Sequence, residues 1–175
     1  MYAMTGTRRA VPVPRGWSLR TREIVAVLIG NGLLITAMWV RHGAFELLNS
    51  PSGWFIAAGE LTALQGGYLA LLQLVLMSRS PWLEQVVGQD ALTAAHRWVG
   101  FSCVWLIVAH VLFTTVGFGL ADGSNVVVEL WTLLTTYQFM LMAGVSLVLF
   151  IAVAVSSVRI ARRHLSYETW HGIHF

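Results

Sequence analysis

The chain has 175 residues, 57% hydrophobic and 11% charged, less than half the roughly 25% charged share of an ordinary soluble domain. Mean hydropathy is +0.69 and the pI about 9.6, but the formal net charge is only +3 and all 11 basic residues are arginine. These values argue against a disordered chain, a soluble enzyme and a typical nucleic-acid binder, and the single cysteine, Cys103, excludes an internal disulfide framework or a multi-cysteine metal cluster. What remains is an all-α, polytopic membrane helix bundle.

A bilayer core of about 30 Å takes roughly 20 apolar residues in helix. After a basic amino-terminal segment, residues 1–22, the first such run extends from Glu23 to Val40. The second, Trp54 to Met77, contains Glu60, Gln65 and Gln73. The third, Ala91 to Phe118, contains His96, Arg97 and His110, and the fourth, Phe139 to Val158, is apolar almost throughout. A fifth begins near Tyr167 and is cut off at Phe175, so that residues 23–175 are expected to hold four full spans and the start of another. Turn clusters separate the runs: Asn49 to Gly53, Ser78 to Pro81, then Gly117, Gly119 and Asp122 to Asn125. The first run is long and lacks a small-residue cleavage site, so it is expected to be a retained helix.

Arginine placement orients the bundle. Arg8, Arg9, Arg15, Arg20 and Arg22 precede the first run, Arg79 lies in the second connection, and Arg159, Arg162 and Arg163 lie in the fourth. If four helices alternate, all of these share one side and Arg41 alone marks the other. The amino terminus is therefore expected to be cytoplasmic, and the loop from Ala121 to Thr136, with Asp122 and Glu129, to face out.

Ionisable groups within a membrane run are costly and are functional suspects by default. His96 and His110 lie 14 residues apart in the third run. At about 100° per residue they fall within about 40° of one another on the helix, separated by roughly 21 Å along its axis. A close metal pair would need spacings of three or four. Two haems stacked at two depths would each need an axial imidazole at this distance. The second axial donor must come from another helix, for which His171 and His174 are candidates. His174 falls at the depth of His96, while a partner for His110 would lie beyond Phe175. The plain alternative is that each histidine forms a helix–helix hydrogen bond or sits at the interface, as expected for His42 and His164. Glu60 and Gln65 are expected to bond across the bundle. Most of the eight tryptophans flank helix ends as an aromatic belt, while Trp98 and Trp105 are placed to pack on a macrocycle. Cys103 is expected to be a small core residue.

Several of these residues carry a resemblance. Leu76 to Glu84, Gly88-Gln89-Asp90, Ala95-His96-Arg97-Trp98-Val99-Gly100 and Ala109-His110, followed by Arg162-Arg163-His164-Leu165-Ser166-Tyr167-Glu168-Thr169-Trp170-His171-Gly172-Ile173-His174, resemble the ferric reductase-like transmembrane domain. The resemblance covers Trp54 to Phe175. It implies a six-helix bundle with two b-type haems, axial ligands His96, His110 and His174, and His174 in preference to His171 at the family's ligand position. It also implies a cytoplasmic flavin and nicotinamide dehydrogenase domain or subunit, with electrons passing from NAD(P)H through FAD and both haems to ferric iron or oxygen outside. Arg97, beside the inner histidine, would then meet a haem propionate. The chain departs from that pattern in lacking the rest of helix five, helix six, and any Gly-rich dinucleotide fingerprint. FAD and NAD(P)H would belong to a downstream domain, and the chain is not expected to turn over alone.

The resemblance thus implies the haem module of a multi-pass oxidoreductase of the plasma membrane, with the lipid bilayer and a dehydrogenase as partners and no nucleic acid. Two other readings stand beside it: a haem-binding subunit fed by quinol or by a separate flavin reductase, and a non-redox membrane scaffold or transporter.

Overall fold

The structure, a computed structural model, describes residues 19–157 and Gly172. All its elements there are helical: α1 (Leu19–Trp39), a kinked turn (Val40–Ala44), α2 (Phe45–Leu47), α3 (Pro51–Met77), α4 (Pro81–Val87), α5 (Gln89–Asp122), α6 (Val126–Thr136) and α7 (Met140–Ser157). Four helical stretches, Arg20–Leu47, Pro51–Met77, Gln89–Asp122 and Met140–Ser157, are long and apolar enough to cross a membrane. In lipid only internal bonding can satisfy the main chain, which is why such runs become helices. The expected fifth span and the basic segment before Leu19 lie outside the described residues.

Local signals start and stop the helices. Ser50 caps α3, its hydroxyl accepting from the Gly53 amide at 3.0 Å, and Pro51 occupies the first turn, where no amide donor is needed. Asn125 caps α6 in the same way through the Val128 amide at 2.9 Å. Past Trp39 the first run does not end but kinks. Gly43 takes φ +98°, which a side chain would strain, and His42 Nδ1 donates to the Met38 carbonyl at 2.7 Å.

Several expectations need correction. Gly117 and Gly119 do not end the third run; α5 continues through them to Asp122 and stops at Gly123, in the left-handed conformation with φ +66°. The connection from Ala121 to Thr136 is not a loop, because Asn125 nucleates α6 there. The segment after Pro81 forms the short helix α4, whose Val86 carbonyl accepts from the Thr21 hydroxyl at 3.3 Å.

The most extensive helix–helix contact joins α3 to α5, antiparallel. Its centre is built from small residues: Ala57, Gly59 and Gly66 on α3, and Cys103, Thr115 and Gly117 on α5, are all buried. A Cβ at Gly59 would lie 2.6 Å from Thr114 Oγ1, and one at Gly117 would lie 2.9 Å from the Ile56 amide nitrogen. By contrast, Leu33, Leu74, Val148 and Leu149 are exposed on the bundle's outside, as suits a molecule whose solvent there is hydrocarbon. With lipid tails as apolar as leucine, close packing and hydrogen bonds must hold the helices together.

Polar side chains inside the runs tie α1 to α3. Tyr68 Oη donates to the Leu28 carbonyl at 2.8 Å, Gln65 Nε2 donates to the Gly32 carbonyl at 3.0 Å and to Thr36 Oγ1 at 2.9 Å, and Trp39 Nε1 donates to Glu60 Oε2 at 2.9 Å. Glu60 and Gln65 thus bond across the bundle as expected. The antiparallel order brings Arg20 and Arg22 to the same end as the α3–α4 turn with Arg79, and Arg41 to the other end.

Replacing Gly59 by leucine is expected to wedge α3 from α5 and to cost about 1–3 kcal/mol. A Cβ added at Gly67 would meet nothing within 4 Å, so Gly67→Leu should be nearly neutral. Thermal unfolding of the two variants in detergent checks this; equal midpoints would contradict the packing described.

Candidate functional site

The seam between α3 and α5 repeats every seven residues. On α3 it passes through Ser52, Gly59, Gly66 and Gln73, and on α5 through His96, Cys103, His110 and Gly117. Seven residues are nearly two turns, so such a set forms one stripe along a helix. At each level the two stripes meet. A Cβ at Gly117 would lie 3.2 Å from the Ser52 carbonyl oxygen. His110 Nδ1 lies 2.9 Å from the Gly59 carbonyl, Cys103 Sγ donates to the Gly66 carbonyl at 3.3 Å, and Gln73 Nε2 donates to the His96 carbonyl at 2.9 Å. The two histidines thus belong to a common stripe, as the spacing indicated, and the stripe is the one turned to α3.

The Gly59 contact determines the state of His110. A carbonyl oxygen only accepts, so the ring proton sits on Nδ1. In the neutral ring Nε2 is then the nitrogen that carries the lone pair. Thr114 Oγ1 lies 3.2 Å from the same Nδ1, one turn further along α5. A main-chain acceptor that holds one ring nitrogen and leaves the other as the donor atom is the arrangement by which proteins orient metal-binding histidines. The residues present therefore fit an axial imidazole for haem iron at His110. The fit depends on Gly59 having no side chain, because a Cβ there would collide with Thr114.

His96 is half-buried at the other end of the stripe, level with Gln73. Arg97 follows it and is exposed. Among the described residues no group of three or more His, Cys, Asp or Glu is arranged to hold a metal ion. Iron bound at either histidine would need a second donor from elsewhere; His171 and His174 lie outside the described residues.

Two other candidates fall away from the stripe. Trp98 is 67% exposed and Trp105 60% exposed. They stand two and nine residues after His96, about 160–200° around the helix from it, and so face away from the histidines. Phe101, exposed between them, meets Trp105 edge-on with ring centroids 6.1 Å apart. The two tryptophans therefore do not share the face that carries the histidines. Cys103 is the small core residue expected, 0% exposed.

Two features had no place in the sequence reading. An apolar cavity of about 1760 Å³ opens between α1, α3, α4 and the start of α5; Tyr68, Trp82, Leu92 and Trp98 line it, and neither described histidine does. At the far end, Glu129 is 3% exposed and accepts a hydrogen bond from the Ser124 hydroxyl at 2.6 Å. The signal that would have located the histidines' partners was present in the heptad of Gly59, Gly66 and Gln73. It becomes visible only once the antiparallel register of the two helices is known.

Site-resolved 15N spectra of histidine-labelled, iron-free protein should show His110 protonated at Nδ1 and unprotonated at Nε2. The opposite tautomer would contradict the bond to Gly59.

Compared with known proteins, the chain matches the profile of the family described as "Ferric reductase like transmembrane component" over residues 62–175, more than half its length. No curated protein and no solved structure matches it.

Proposed function

Because the chain belongs to the ferric reductase-like transmembrane family, and so is a membrane oxidoreductase module, we propose that it carries electrons across the bilayer between a cytoplasmic flavin and nicotinamide donor and an outside acceptor, ferric iron or oxygen. Two b-type haems are the cofactors of this reading: His96 and His174 would hold the inner one, His110 would hold the outer one, and His171 lies three residues before His174 in the sequence. Arg97, at the cytoplasmic edge beside His96, offers a fork of donors suited to a propionate carboxylate. Haem iron bound by two imidazoles supplies one-electron carriage with both axial positions filled.

The observation that carries the proposal is the bond from His110 Nδ1 to the Gly59 carbonyl at 2.9 Å. It leaves an unprotonated Nε2 on a helix face within the membrane span, at a second depth from His96. The chain's own residues do three things in this reading. Gly59 sets the tautomer of His110, the α3–α5 seam holds both histidines at fixed depths, and the apolar outer faces keep water from the path.

The orientation proposed is a multi-pass protein of the plasma membrane with residues 1–22 in the cytoplasm and 23–175 forming the haem-binding domain. Arg20, Arg22 and Arg79 at one end of the bundle against Arg41 at the other support it. A flavin dehydrogenase domain or subunit would meet that arginine-rich end.

The test is haem content and spectrum of the protein purified from haem-supplemented membranes. The unaltered protein should show b-type bands on reduction. His96→Ala and His110→Ala should each lose a distinct haem component, while the monodisperse elution profile stays the same. Full haem content in both variants would overturn the assignment.

A further inference from the structure

The stripe that joins α3 to α5 treats its two histidines differently. At the outer level the α3 residue facing the histidine is Gly59, and its main-chain carbonyl takes the Nδ1 proton. At the middle level the facing residue is Gly66, and its carbonyl takes the Cys103 thiol proton. At the inner level the facing residue is Gln73. Its Nε2 donates to the His96 carbonyl at 2.9 Å, which fixes which way the amide is turned, since that carbonyl can only accept. Its Oε1 is buried and has no hydrogen-bond partner among the described residues. The amide is seated against Gly100, where an added Cβ would collide with Nε2.

A buried amide oxygen without a donor costs about 1–3 kcal/mol, and it is retained where a partner arrives or a function needs it. In this structure Oε1 and His96 Nδ1 are not bonded to one another. We infer that Gln73 is the positioning residue of the inner site: its Oε1, held beside His96 by the bond from Nε2 to the main chain, closes on Nδ1–H when iron takes Nε2, so that the inner ring acquires on loading the kind of partner that His110 already has in Gly59. This inference rests on the haem reading given above. It adds that the two sites are tuned by different means. The outer imidazole is held by a main-chain carbonyl that no substitution removes. The inner one would be held, once loaded, by a side chain that a substitution can alter. An acceptor on Nδ1–H makes the ligating ring more electron-rich and favours the oxidised iron, and such outer partners tune metal sites measurably.

The experiment is redox titration of the haem-loaded full-length protein with Gln73→Leu and Gln73→Glu, followed by electron paramagnetic resonance of the oxidised forms. Gln73→Leu should raise the midpoint of the inner component and leave the outer one unmoved. Gln73→Glu, with a stronger acceptor at the same reach, should lower it. A role confined to packing would not move the midpoint in opposite directions. If Gln73→Leu does not accumulate, Gln73→Met, of similar length and without the amide acceptor, takes its place: a raised inner midpoint supports the inference and an unmoved one overturns it. Haem bound normally, with both midpoints unchanged in both variants, defeats this inference and leaves the haem reading intact. Absence of haem from the unaltered protein defeats both.

Discussion

The structure depends on how closely two helix backbones approach. At Gly59 and Gly66 on α3, and at Gly117 on α5, the missing side chains let main chain meet main chain or side chain directly. In a bilayer, apolar side chains gain little by turning from lipid to protein, so contact of this kind has to supply the cohesion. Larger residues along the seam would push α5 away, and the carbonyls of α3 would pass out of reach of its histidine and thiol. The same small residues therefore hold the bundle together and prepare its candidate site.

Polarity within the spans follows a single rule. A donor in hydrocarbon must find an acceptor, and in helices the available acceptors are carbonyls or other polar side chains. Tyr68 and Gln65 reach α1 carbonyls, Cys103 and His110 reach α3 carbonyls, and Trp39 reaches Glu60. Thr36, Thr62 and Thr115 turn back on their own helices. Gln73 Nε2 obeys it through the His96 carbonyl, while its Oε1, an acceptor, meets no donor among the described residues. Glu129, buried at the α5–α6 corner, meets the rule through Ser124. The α5–α6 corner thus carries a buried carboxylate, whereas the opposite end of the bundle carries exposed arginines, which gives the bundle two chemically distinct ends.

Much of the fold was legible in the residues, for a physical reason. Twenty apolar residues in a row admit one spanning structure, so Trp54 to Met77 and Phe139 to Val158 lie close to the helices found. The shared stripe of His96 and His110 was legible too, because helical pitch is constant. Short elements were not. The helix Pro81–Val87 and the helix Val126–Thr136 depend on caps and on neighbours to stack against, and Gly117 and Gly119 look like helix breakers until a close partner explains them. That Trp98 and Trp105 lie on another face from His96 follows from their angle around the helix, which depth along it does not give.

The sequence by itself determined the solvent, the number of membrane-spanning helices within residues 19–157, the arginine asymmetry and the fourteen-residue interval between two imidazoles, since each follows from hydropathy, charge or pitch within one continuous stretch. Only the tertiary structure decided which helix those imidazoles face, which ring nitrogen of His110 carries the proton, and that a glutamine stands where a glycine stands at the other level. Those facts depend on the register of α3 against α5. Register is set by the sum of close contacts between two distant segments, and no single segment encodes it.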